Sequence, residues 1–167
     1  MKNLLKISGF VVLAEILTLF VNLTLSFSGS AFMRMLCSAC TVGILCGLMA
    51  QGGYSIGNID RKAKKTFQFG KAFLLGLWGS APYFILTIAL ILSRNGMISD
   101  NYYRYYKLLC APFLAVCNLI SDGISSSGIS AMGIIVLLIL CCLPCISIMI
   151  AYKISIQGKA IEDVMYH

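Results

Sequence analysis

The sequence predicts an all-α fold: a polytopic integral membrane helical bundle of four transmembrane helices plus one short re-entrant or interfacial (or fifth transmembrane) helix. Three observations predict it. Of 167 residues, 59% are apolar and only 11% charged, whereas soluble domains carry about 25% charged residues. Four apolar runs are each about 20 residues long, enough to cross a ~30 Å hydrocarbon core at 1.5 Å per residue. The formal net charge of +7 comes from cations lying between those runs, the pattern that orients membrane helices. The chain reads as one transmembrane domain, 1–167.

The first run, 7–27, follows Lys2 and Lys6. Ser28, Ser30 and Ala31 after it are small, as at a signal-peptide cleavage site. The run exceeds the 7–15 residues of a signal h-region, so an uncleaved anchor is the expectation. The second run, 35–54, has Arg34 at its edge. The third is 72–92 and the fourth 132–152. Segment 108–120 is short for a span and contains Pro112, which fits a re-entrant or interfacial element as well as a crossing.

Charge counting separates the two topologies. With four spans and the N-terminus inside, nine cations face the cytoplasm: Lys2, Lys6, Arg61, Lys62, Lys64, Lys65, Lys71, Lys153 and Lys159. Arg34, Arg94, Arg104 and Lys107 face outward. A fifth span would move Lys153 and Lys159 across, giving seven against six. The positive-inside rule favours four spans, in a cell membrane, with the N-terminus and the connection 55–71 cytoplasmic.

Tyr102, Tyr103, Tyr105 and Tyr106 beside Arg104 and Lys107 read as a headgroup-level aromatic belt. The Ser/Gly stretch from Ser121 to Ser130 reads as a flexible outer connection. Pro82 and Pro144 are expected to kink their helices.

Glu15 is the most informative residue. It lies about eight residues, or ~12 Å, into the first run, where an unpaired carboxylate costs ~2.5–3.5 kcal/mol on insertion scales. It must be protonated, paired or facing water. It is therefore a proton- or cation-site candidate, the alternative being a neutral group hydrogen-bonded between helices. Arg34, at the outer edge, is too far along the axis to neutralise it. Asn22 and Thr24 form a glycosylation sequon that lipid would make inert. The stretch Val12-Leu13-Ala14-Glu15-Ile16 resembles the first helix of the small multidrug resistance transporters. That resemblance implies a Glu15 that alternates between a proton and a cationic drug. It covers five residues, and the later helices show no matching pattern.

Cys37 and Cys40 form one C-x-x-C, and Cys142 and Cys145, around Leu143-Pro144, form another. Such pairs on a four-helix scaffold resemble the quinone-coupled disulfide oxidoreductases of the vitamin K epoxide reductase type. That resemblance implies a redox role for these four cysteines. All eight cysteines lie in apolar runs, however, where thiolates form poorly and Cys serves as a small hydrophobe. Ala39, Gly43 and Gly47 recur every four residues, a ridge for close helix packing within the bundle or in an oligomer. Gly76 with Ser80 is a shorter version.

In the connection 51–71, Gly52, Gly53 and Gly57 lack the spacing of a P-loop. Residues 60–71 carry net charge +4, and Arg61, Lys62, Lys64, Lys65 and Lys71 are candidates for anionic-lipid or partner contact, at ~1 kcal/mol per basic residue on lipid. His167 is the sole histidine. No spacing of His, Asp or Glu reads as a metal site, and no nucleic-acid motif is present. No cofactor is implied. These features leave three expectations: a non-catalytic accessory or assembly component of a membrane complex, a small transporter or transporter subunit using Glu15, and, least favoured, a membrane thiol-disulfide oxidoreductase. The partners expected are membrane lipid and a homo- or hetero-oligomer.

Overall fold

The computed structural model describes residues 2–25, 31–121 and 123–158. Ser28, Ser30, Lys159 and His167, singled out above, lie outside the described residues. The described chain is helical without strands. In order come α1 (Lys2–Leu25), α2 (Ala31–Lys62), α3 (Phe69–Arg94), α4 (Tyr102–Leu109), a 3-10 turn (Ala111–Phe113), α5 (Leu114–Ile120) and α6 (Ala131–Ile156). Four of these, 2–25, 32–62, 69–94 and 131–156, are long and apolar enough to cross a membrane. Large apolar side chains such as Phe20, Ile85 and Ile139 stand exposed around the bundle, a surface suited to lipid rather than water.

α6 packs against α2 and α3, and α1 packs against α2. Glycines make these approaches possible. A Cβ on Gly53 would stand 2.5 Å from the Ile148 carbonyl oxygen, and one on Gly57 2.8 Å from that of Tyr152. One on Gly76 would stand 2.6 Å from Cys145 Sγ. This corrects the sequence reading of 55–71 as a connection. α2 runs on to Lys62, because Gly52, Gly53 and Gly57 are packing positions against α1 and α6, not breakers.

α2 ends in a Schellman motif. Lys64 N–H donates to the Arg61 carbonyl at 2.9 Å and Lys65 N–H to that of Asp60 at 3.0 Å, with Lys64 left-handed at φ 54°. The true connection is 63–68.

Long-range bonds gather the helix ends into two groups. At one end, Lys6 Nζ donates to Ser55 Oγ at 2.5 Å, Ser155 Oγ to the Tyr54 carbonyl at 2.8 Å, and Tyr152 O–H to Asp60 Oδ2 at 2.8 Å. Lys71 Nζ also pairs with Asp60 Oδ2. At the other end, Ser93 Oγ and Ser126 Oγ lie 2.6 Å apart, and Ser126 N–H donates to the Asp100 carbonyl at 2.9 Å.

Between α3 and α6, α4 and α5 double back on each other. Tyr103 O–H donates to the Cys117 carbonyl at 2.8 Å. Lys107 Nζ donates to the carbonyls of Ser121 (2.9 Å) and Gly123 (3.0 Å). Both ends of the segment therefore lie at the end of the bundle occupied by Asp100 and Ser126. Tyr103 and Tyr106 are wholly buried, while Tyr105 is exposed. The tyrosine cluster is thus divided between core and surface instead of forming a single belt. The Ser/Gly stretch, over 123–130, is tied down by Asp100 and Ser93.

Candidate functional site

The tip of this hairpin is a 3-10 turn outside any α-helix, deep in the bundle and touching α1 and α2. Where water is absent, each polar group of such a turn needs a partner. Cys110 N–H is satisfied within the hairpin by the Tyr106 carbonyl at 2.9 Å, and Phe113 N–H by that of Cys110 at 2.9 Å. Pro112 has no N–H. The Ala111 carbonyl accepts from the Leu114 N–H, and three side chains add further bonds. Ala111 N–H donates to Glu15 Oε2 at 3.0 Å. Asn22 Nδ2 donates to the Ala111 carbonyl at 2.8 Å. Thr41 Oγ1 donates to the Pro112 carbonyl at 2.9 Å.

Glu15, Thr18 and Asn22 occupy one side of α1 at helical spacing. Ala14, Thr18 and Asn22 are buried there, with Glu15 half-buried beside them. Asn22 faces protein, not lipid. Its Oδ1 accepts from Cys37 Sγ at 3.4 Å.

Behind the turn is a second polar layer. The Phe113 ring packs on Tyr83 at 5.3 Å. Thr87 Oγ1 lies 3.0 Å from Tyr106 Oη and 3.3 Å from Cys141 Sγ. The Tyr83 side chain is 1% exposed, and its hydroxyl has no hydrogen-bond partner among the described residues. It stands near enough to Glu15 for the two groups to act on each other.

Other sequence candidates fall elsewhere. Ala39, Gly43 and Gly47 line the outside of α2, and a Cβ on Gly43 or Gly47 would meet nothing within 4 Å. Shallow apolar grooves of about 350 and 380 Å³ flank the ridge, one containing Ala39 beside α5 and α6, the other Gly47 beside α6. In each C-x-x-C, one sulfur is buried (Cys37, Cys145) and one exposed (Cys40, Cys142), and all four are free thiols. The basic set divides as well. Lys71 and Lys65 pair with Asp60, Arg61 donates to Asn58 at 3.0 Å, and Lys62 and Lys64 are exposed. No three His, Cys, Asp or Glu side chains converge as metal ligands among the described residues.

The sequence reading missed Asn22 as an anchor, together with Thr41, Tyr83 and the buried Asp60. A signal existed for the first: Asn22 lies seven residues after Glu15, on the same helical face.

Fold and surface define a multi-pass helical membrane protein with four candidate membrane-spanning helices. No family model matches the chain, no curated protein matches it in sequence, and no solved structure matches its fold.

Proposed function

We propose that this chain is a non-catalytic multi-pass protein of the cell membrane that serves as an accessory or assembly component of a membrane complex. One observation carries the reading. Ala39, Gly43 and Gly47 form a small-residue ridge with open space in front of it, while the bundle's own close approaches use Gly53, Gly57 and Gly76. In lipid, where hydrophobic association is weak, such a ridge draws helices together by close backbone packing. Another membrane helix, from a second copy or a different protein, is the occupant it suits.

The topology that goes with this reading has four spans, with segment 102–120 re-entrant from the outer side. The end bearing Lys2, Lys6, Arg61, Lys62, Lys64 and Lys65 faces the cytoplasm, where exposed Lys62 and Lys64 meet anionic lipid. The transporter alternative rests on Glu15, and the redox alternative on the cysteine pairs. The bond from Ala111 gives Glu15 a role inside the fold, and the split exposure of each pair supports packing over thiol relay.

The test is purification of the intact chain in mild detergent and in lipid nanodiscs. The expected result is self-association or a co-purifying membrane protein that Gly43→Leu or Gly47→Leu releases without loss of expression. A monodisperse single copy with nothing bound in either medium would overturn the proposal. Fluorescent-protein fusions at 63–68 check the topology, with fluorescence expected only on the cytoplasmic side.

A further inference from the structure

We propose that Glu15 takes up and releases a proton inside the bundle, and that its charge sets how firmly the hairpin 102–120 is latched. Glu15 is the sole acidic residue between Met1 and Ile59. Lipid and buried protein disfavour a free carboxylate at that depth. Among the described residues, the Ala111 N–H bonds Glu15 and the Tyr83 hydroxyl lies close enough to act on it, and neither carries positive charge to neutralise it.

The chemistry of those neighbours selects the ligand. Both are hydrogen-bond donors. The carbonyl oxygens nearest in the turn are already engaged, Ala111 with Asn22 and Pro112 with Thr41. A calcium or magnesium ion wants about six oxygen ligands, which this site does not offer. Donors around a lone carboxyl fit exchange of a proton instead.

The unpartnered Tyr83 hydroxyl gives the site two arrangements. A charged Glu15 has acceptor capacity for both Ala111 N–H and Tyr83 O–H. A neutral Glu15 has less, and its bond to Ala111 loses the strength that charge confers. The bonds from Asn22 and Thr41 do not depend on that charge. Protonation thus weakens one of the three pins on the turn and leaves two in place.

Among the described residues, the remaining titratable groups that act at the site are thiols and phenols. Cys110, in the hairpin, lies close enough to Glu15 for the two to act on each other, and Tyr106, Cys117 and Cys141 act on Cys110 in turn. From α2, Cys37 bonds to Asn22, two turns along α1.

The test uses the full-length protein in nanodiscs. Infrared difference spectra on stepping pH are expected to show one protonated-carboxyl band that is absent in Glu15→Gln and has a displaced midpoint in Tyr83→Phe. The latch is read with a small lipid-permeable thiol reagent on Cys110, the other seven cysteines being replaced by alanine. Above the midpoint, Cys110 is expected to react about tenfold more slowly with Glu15 present than in Glu15→Gln. Below the midpoint the two rates converge.

A rate ratio flat with pH, or a carboxyl band that survives Glu15→Gln, would overturn the proposal. A midpoint that moves with sodium at constant ionic strength would assign the site to a metal cation and overturn it equally. If Glu15→Gln does not fold, Tyr83→Phe decides alone, and an unmoved midpoint rejects the pairing.

Discussion

The side-chain amide of Asn22 donates to the carbonyl oxygen of Ala111 at 2.8 Å, although the two residues lie 89 positions apart. Thr41 does the same for the next carbonyl, that of Pro112, from a different helix. The two bonds hold irregular backbone against α1 and α2 at a depth where water cannot replace them.

Removing Asn22 takes one of two donors from the Ala111 carbonyl, which also accepts from the Leu114 N–H, and removing Thr41 takes the side-chain donor from the Pro112 carbonyl. Asn22→Ala and Thr41→Val are each expected to cost about 1 kcal/mol, the net value of one hydrogen bond, read as a lowered thermal-unfolding midpoint in detergent micelles. Both anchors serve one turn, so the double variant should lose less than the sum of the two. Wild-type midpoints in both single variants would show that the turn is held by other means.

Lys64 offers the opposite kind of change. It occupies the left-handed position of the Schellman motif that stops α2, at φ 54°, where glycine is the usual residue. A side chain there costs roughly 1–2 kcal/mol. Lys64→Gly should therefore raise stability by about 1 kcal/mol, less the entropy that glycine adds to the unfolded chain. The same thermal measurement checks it, and a fall in midpoint would mean that the Lys64 side chain makes a compensating contact.

How far the sequence revealed this arrangement depends on the physics behind each signal. Apolar run length fixed the four long helices because bilayer thickness is nearly constant. The depth of Glu15 was readable because charge in lipid is costly wherever its partner lies. That partner was not readable: Ala111 contributes a backbone N–H, and which turn meets which helix is a long-range matter that periodicity does not encode. Pro112 marked the segment as irregular without showing what would satisfy it.

The misreadings arose where one residue type serves two purposes. Gly52, Gly53 and Gly57 read as part of a connection, yet they are contact points within α2. Tyr103 and Tyr106 looked like interfacial anchors, yet their ring and hydroxyl partners lie inside. Asp60 looked like a connection residue because Lys71 and Tyr152 reach it only once α3 and α6 are in place.

Two glycines on α2 should respond oppositely to the same substitution. Gly53→Ala puts a methyl group 2.5 Å from the Ile148 carbonyl oxygen, so backbone must move, at a cost of about 1–3 kcal/mol. Gly47→Ala enters open space and removes a helix penalty of up to about 1 kcal/mol. In a detergent that strips away partners, the first variant should unfold earlier and the second no earlier than wild type. Equal destabilisation by both would mean that the ridge is already covered within the chain, against its proposed role.

Asp100 links the bundle's other end to pH. The Ser125 hydroxyl donates to its carboxylate, and Ser127 adds its N–H, at 2.9 Å, and its hydroxyl. These donors hold the Asp100 carboxyl below its ordinary value, the Ser125 hydroxyl having the largest effect. A carboxyl lowered in the folded state binds its proton less tightly than in the unfolded chain. It therefore stabilises the fold above the ordinary carboxylate value, and that contribution disappears as pH falls through the lowered one. The tether from Asp100 to Ser125 and Ser127 should thus persist at neutral and mildly acidic pH and open only in stronger acid. Hydrogen exchange at the Ser127 amide, corrected for its intrinsic pH dependence, reports this directly. Protection should be lost on strong acidification in wild type and at every pH in Asp100→Ala. Protection of Ser127 that survives Asp100→Ala would place the restraint in the backbone of 123–130 instead of in the carboxylate.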